Sequence, residues 1–214
     1  MPYDPNRHHR RSIRLKGYDY SQAGAYFITI CTQDRACLFG KVVNGEMRLN
    51  DAGRMVLAEW NRLPERFPHL VLDAFVVMPN HVHGILVITD PAPTVGATVG
   101  ATVGATVGAT LVVAPTVGNI IGAFKSRVTV EYIRGVKTSG WPPFRGRLWQ
   151  RNYYEHIIRN ERALNAIRQY IMENPRRWHR DREKEARSAS DPLAQAIWSM
   201  PKQEEAVHSP GGEP

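Results

Sequence analysis

The sequence predicts an α+β fold, and three observations predict it. Short runs of β-branched and aromatic residues alternate with segments whose apolar residues recur at helical spacing. Those segments follow one another as strand, helix, strand–turn–strand, helix, strand. The length, 214 residues, suits one compact domain plus some extra chain.

The first strand is predicted at Ala25–Thr32, a run rich in β-formers. Leu38–Val43 and Glu46–Leu49 flank Asn44-Gly45, a strong hairpin signal. Asn50 or Asp51 caps a helix over 52–63, whose apolar face is Ala52, Met55, Val56, Trp60 and Leu63. Pro64 and Pro68 are expected to stop it. Val71–Met78 reads as a strand, Pro79-Asn80 as a break, and His81–Ile88 as a third strand. Thr116 caps a helix to about Arg134, with Val117, Ile120, Ile121, Phe124, Val128 and Tyr132 on one face. Tyr153–Arg159 is the fourth core strand. Asn160 then caps a helix to about Glu173, closed at Asn174-Pro175. This order is that of a ferredoxin-like antiparallel sheet with helices on one face and an extra C-terminal helix, and it puts the 81–88 strand in the sheet interior.

The chain divides into a basic arm at 1–22, a domain at 23–180 and a tail at 181–214. Four copies of Thr-Val-Gly-Ala at 94–109 mark residues 91–116 as a flexible low-complexity linker interrupting the domain. The charged, finally Pro/Gly-rich tail is expected to be mostly disordered.

Composition excludes several classes. No apolar run approaches the roughly 20 residues of a membrane span. Cys31 and Cys37 make no disulfide scaffold, and the polar, Pro-broken start is not a signal peptide. These features point to a soluble protein of a reducing compartment. The net charge is +8, and residues 125–180 alone hold thirteen bases and four acids, whereas the tail is net acidic. A positive body of this kind attracts polyanions, nucleic acid above all.

Two residues two apart on a strand share a face, so His81 and His83 form half of a divalent-metal site. Tyr170 and Asn174 are four apart on the last helix and also share a face. A tyrosine hydroxyl near a bound cation is a nucleophile for a phosphodiester, and the Asn174 amide oxygen is a hard ligand. Pro175 is expected to push Asn174 out of helical geometry. The plainer alternative is that the histidines are hydrogen-bonded core residues, Tyr170 packs and Asn174 caps the helix.

The run Pro79-Asn80-His81-Val82-His83-Gly84 resembles the His-hydrophobic-His motif of the single-tyrosine HUH transposases. Leu148-Trp149-Gln150-Arg151-Asn152-Tyr153-Tyr154-Glu155-His156, Ile158-Arg159-Asn160, Tyr170-Ile171 and Asn174-Pro175 are similar to the REP-associated tyrosine transposases, relatives of insertion-sequence transposases. The resemblance runs from about Arg10 to Trp178. It implies the same ferredoxin-like sheet, a Mg2+ or Mn2+ ion held by His81, His83 and Asn174, and Tyr170 as nucleophile. It implies cleavage and rejoining of single-stranded or hairpin DNA through a 5′-phosphotyrosine, by a monomer or homodimer of cytoplasmic, nucleoid-associated location.

Substrate binding is assigned to Arg10, Arg11, Arg14 and Lys16 of the arm, and to Lys125, Arg127, Arg147, Trp149, Gln150 and Arg151. Rival readings are a domesticated hairpin-binding protein that does not cut, a metal-dependent phosphodiesterase using water, and a relaxase-type nickase.

Overall fold

The computed structural model describes residues 19–89, 115–181, 183 and 191–199. The arm cations Arg10, Arg11, Arg14 and Lys16 and the whole repeat lie outside the described residues. Strand β1 (Gly24–Cys31) pairs antiparallel with two neighbours, β5 (His81–Ile88) and β6 (Tyr154–Ile158). Strand β4 (Leu70–Val77) closes the other edge on β5, giving the order β4–β5–β1–β6. This is the ferredoxin-like order, with the histidine strand inside the sheet. A separate hairpin joins β2 (Gly40–Val43) to β3 (Glu46–Leu49), turning at Asn44-Gly45, both at positive φ.

Helix α1 (Asp51–Asn61) starts where the Asn50 side chain accepts from the Gly53 amide at 2.8 Å. Pro64 does not end the helical stretch. It sits in the first turn of a second short helix, α2 (Leu63–Arg66), where its missing N–H costs nothing. Helix α3 (Val117–Ser139) opens on a Thr116/Asn119 capping box and runs five residues beyond the predicted end, to Gly140 at φ +66°. Gly135 lies inside this helix, at a point where a Cβ would sit 2.3 Å from the Trp141 ring.

Alternation along β1 and β5 divides the core into two layers. Tyr26, Ile28, Ile30, Val82 and Leu86 pack against Val56 and Trp60 of α1 and Ile120, Phe124 and Val128 of α3. Phe27, Ile85 and Ile158 face the opposite way and meet Ile167, Tyr170 and Ile171 of α4 (Glu161–Glu173). Burying side chains of this size contributes about 1.5–3 kcal/mol each, which holds a 13-residue helix that would be marginal in water. The tail is not without structure. Helix α5 (Pro192–Ser199) adds Ala194 and Ile197 to the α4 layer, and the Asp191 carboxylate at its start takes Arg177 at 3.0 Å. It is an uncharged run of eight residues inside a charged tail, too short for its periodicity to mark a helix. No helix among the described residues is long and apolar enough to cross a membrane.

An irregularity in β4 fastens α4 to the sheet. The pairing with β5 shifts between Leu72 and Phe75. As a result Asp73 reaches Arg168 while its neighbour Ala74 also packs on the α4 layer. Arg168 grips the Asp73 carboxylate through Nε at 2.9 Å and Nη2 at 2.6 Å. These bonds hold the Asp73 carboxyl below the usual carboxylate range. A folded-state value lower than the unfolded one means stabilisation that is complete above the unfolded pKa of about 3.9 and lost as pH falls through the folded value. Asp73→Asn is therefore expected to lower the Tm at pH 7 and to flatten its acid dependence below about pH 4. Melting curves of both proteins between neutral and strongly acidic pH check this; parallel curves would exclude the pair from acid lability.

Candidate active site

On β5, Val82 and Leu86 face α1 and α3, so His81 and His83 point to the α4 side. Both imidazoles are fully buried, and their Nε2 atoms are 3.0 Å apart. Their outer nitrogens are engaged. Thr29 Oγ1 lies 2.8 Å from His83 Nδ1, across the register pair Thr29–His83. Asn80 Oδ1 lies 2.8 Å from His81 Nδ1. The Asn80 amide nitrogen donates to the carbonyls of Arg35 (3.1 Å) and Glu183 (2.9 Å), so its oxygen is the acceptor. His81 then carries its proton on Nδ1 and offers the Nε2 lone pair, the arrangement typical of a metal-binding histidine. Burial lowers the His81 pKa against the opposing charges of Asp181 and Glu183, which favours the neutral, ligating form.

Tyr170 enters from α4. Its ring stands edge-on to Phe27 at 6.1 Å, and its hydroxyl lies 3.4 Å from His83 Nε2. Two residues separate helix α4 from the end of β6, and the second, Asn160, caps the helix by accepting from the Ala163 amide at 2.8 Å. In the single chain the tyrosine helix lies on the sheet of that same chain. Asn174 is one turn further on and is buried, and neither of its amide atoms has a hydrogen-bond partner among the described residues. It keeps helical geometry (φ −55°, ψ −41°), contrary to the expectation from Pro175. The proline opens a 3₁₀ segment, Asn174–Arg180, in whose first turn it needs no N–H, so the chain curls on without a break.

That segment brings in residues the sequence reading missed. The Trp178 ring lies 6.0 Å from His81. Asp181 is buried, with Oδ2 3.8 Å from His81 Nε2. His81, His83 and Asp181 offer ligand atoms within 4.8 Å of one another, a group able to hold a metal ion. Glu183 accepts from the Cys31 thiol at 3.3 Å and meets Arg35 at 3.5 Å. Burial foremost, with the Glu183 charge next, pushes the Cys31 thiol up, which disfavours the thiolate. Asp181 and Glu183 lie in the charged tail, where nothing in composition separates a ligand from a solvated acid. Two imidazole nitrogens, a carboxylate and an uncommitted buried amide form a donor set that suits a divalent ion. A buried amide without a protein partner is costly unless water or a bound ion satisfies it.

The assigned substrate-binding residues fare unevenly. Lys125 Nζ donates to the Gln150 carbonyl at 2.6 Å and approaches those of Arg151 and Asn152. Burial pulls its pKa down to about 8, so it serves the 150–152 turn before any phosphate. Arg127 is paired with Glu59 at 3.4 Å and Glu131 at 3.8 Å. Trp149 is buried against Phe39 and Phe124, so it cannot stack a base; its indole fills the core under the turn. Arg147 and Arg151 are exposed and Gln150 is half-buried. The Gln150 amide donates to the carbonyl of Cys31, the register partner of His81, so this turn adjoins the histidine end of the sheet.

No family model matches the chain. Two solved structures share its shape in part. A REP-associated tyrosine transposase bound to a REP hairpin has a TM-score of 0.46 and 18% identity, covering 76% of this chain and 73% of that one. A Deinococcus radiodurans R1 protein provisionally described as a transposase has a TM-score of 0.38 and 22% identity, covering 75% and 96%. At such values the fold rests on the strand order and register above rather than on the likeness. In sequence, an uncharacterized protein of Haemophilus influenzae is 40% identical over 179 residues, 84% of this chain and 95% of that protein. The chain belongs to the family of that Haemophilus influenzae protein, matched along nearly its whole length.

Proposed function

We propose that this protein is a transposase-type enzyme that cleaves and rejoins single-stranded or hairpin DNA of the REP kind through a 5′-phosphotyrosine. The observation that carries the reading is the Tyr170 hydroxyl, 3.4 Å from Nε2 of one of two buried histidines whose ligating nitrogens converge. His81 and His83 would hold a Mg2+- or Mn2+-type ion through Nε2, and the unpartnered Asn174 amide supplies a further oxygen. Such an ion supplies positive charge against that developing on a scissile phosphate.

Thr29 and Asn80 fix the two imidazoles, so the site is oriented before any substrate arrives. The Tyr170 oxygen attacks phosphorus and the bond to the 3′-oxygen breaks. The phenol proton ends on the released 3′-hydroxyl, and the phosphodiester bond energy stays in the tyrosine ester. Attack by another 3′-hydroxyl reverses the step without a nucleotide cofactor. Tyr170 is only 1% exposed, so a strand reaches it when the surrounding chain opens. Arg147 and Arg151, exposed on either side of the Gln150 turn, would supply cations for its phosphates.

The test is a hairpin oligonucleotide with a single-stranded 5′ flank, incubated with the full-length protein and Mn2+. A covalent protein–DNA species is expected, with the modified peptide mapping to Tyr170 by mass spectrometry. Cleavage without an adduct would favour the water-using phosphodiesterase. Tight binding without cleavage would favour a domesticated hairpin-binding protein.

A further inference from the structure

We infer that Asp181 is an anionic ligand of the same centre, so that ion binding and docking of the chain beyond α4 onto the sheet are one event. The inference rests on the reading of His81 and His83 as a divalent-ion site.

Asp181 is buried, and its two oxygens are used differently. Oδ1 accepts from the Glu183 amide at 2.7 Å, which turns Oδ2 toward the histidines. Oδ2 has no hydrogen-bond donor among the described residues and faces His81 Nε2 at 3.8 Å. The Asn80 contacts leave that nitrogen a lone pair. A carboxylate oxygen and an imidazole lone pair aimed at one another repel unless a proton or a metal cation lies between them, and with the His81 proton on Nδ1 a metal ion is the counter-charge the site can take. Ligand bonds of about 2.0–2.2 Å at tetrahedral to octahedral angles put neighbouring donor atoms roughly 3–3.5 Å apart. The His81–His83 separation, 3.0 Å, falls in that range, the His81–Asp181 one, 3.8 Å, lies just above it, and all three donor atoms are within 4.8 Å of one another.

The same contacts make the ligand part of a fastening. Asn80 bonds the His81 ring with its oxygen and the Glu183 carbonyl with its nitrogen, joining ligand and tail through one side chain. The Glu183 carboxylate is held by Cys31 and Arg35. Beyond it, Asp191 accepts from the amides that start α5 and from Arg177. An ion bound to Asp181 therefore closes a loop between β5 and the segment that follows the tyrosine helix. Its binding free energy becomes stability of that segment.

Hydrogen–deuterium exchange of the full chain with and without Mn2+ tests this, beside calorimetric titration of Mn2+. Wild type is expected to show slower exchange over 174–199 on adding the ion. Asp181→Asn is expected to lose that protection and at least about tenfold in Mn2+ affinity. Asp181→Glu, which keeps the carboxylate, is expected to recover part of both, and it covers the case in which the amide variant misfolds. Asp181→Asn binding Mn2+ as wild type does, with protection intact, overturns the inference and leaves the metal reading standing. Absence of any Mn2+ effect in wild type, with His81→Ala indistinguishable from it, overturns both.

Discussion

Tyr170→Phe is expected to abolish the covalent protein–DNA species, a loss on the order of 10⁴-fold or more when a nucleophile is removed, with the fold intact. The substitution deletes one oxygen from a ring already packed against Phe27 and near His83. The hydroxyl contact it removes is long, 3.4 Å, so the loss of stability stays at about 1 kcal/mol or less. Hairpin binding is expected to persist, because the exposed arginines lie on other elements. Melting temperature, binding by anisotropy and adduct yield on a denaturing gel separate the three quantities. Adduct persisting in Tyr170→Phe would move the nucleophile elsewhere. A large drop in Tm would reduce Tyr170 to a core residue.

Gly84→Ala is expected to destabilise the protein by about 3 kcal/mol, at the upper end for overpacking. Gly84 lies between His83 and Ile85 and faces the α1/α3 layer. A Cβ there would lie 2.5 Å and 2.8 Å from two Trp60 ring carbons and 2.9 Å from Phe75. Trp60 cannot step aside cheaply. It is stacked on Phe75 at 4.3 Å and meets Phe124 edge-on at 5.4 Å. For a chain of this size that cost corresponds to a Tm lower by roughly 6–12 °C. Trp60→Leu in the Gly84→Ala background is expected to cost less than the sum of the two single changes, since it removes the colliding ring. A Tm within about 2 °C of wild type would show that the two rings can slide apart. The larger change also bears on His83, which shares a backbone with the glycine.

The four strands were legible because each pairs a β-branched or aromatic run with a turn signal, and their order fixes the sheet once the connections are short. The caps at Asn50, Thr116 and Asn160 were legible for the same local reason: a side-chain oxygen meets an orphan amide three residues on. The end of α3 lay five residues beyond the predicted one, past Gly135, whose place depends on Trp141 six residues on. His81, His83, Tyr170 and Asn174 were legible as pairs through strand and helix periodicity. That the two pairs meet depends on α4 covering the sheet face opposite α1 and α3, which follows from Ile167 and Ile171 matching Phe27 and Ile85. Asp181 carried no such signal, since its place comes from a 3₁₀ curl after Asn174 that Pro175 seemed to forbid. Lys125, Arg127 and Trp149 were read by type, as cations and a stacking ring. Their partners are Gln150, Glu59 and Phe39, and side-chain chemistry alone names none of them.

The shift in β4 has a consequence for how copies of this protein meet in a crowded solution. β4 is an outer strand, and it exposes Val71 at 51%. A long, regular, apolar outer strand is a template on which another chain can add its own. Here the ladder loses its regular spacing at Asp73 and Ala74, two and three residues from Val71. The carboxylate that grips Arg168 stands at that same point. A second molecule could match only a few amides on either side of it. The irregularity that brings Asp73 to Arg168 thus also interrupts the outer edge of the sheet as a template for another strand.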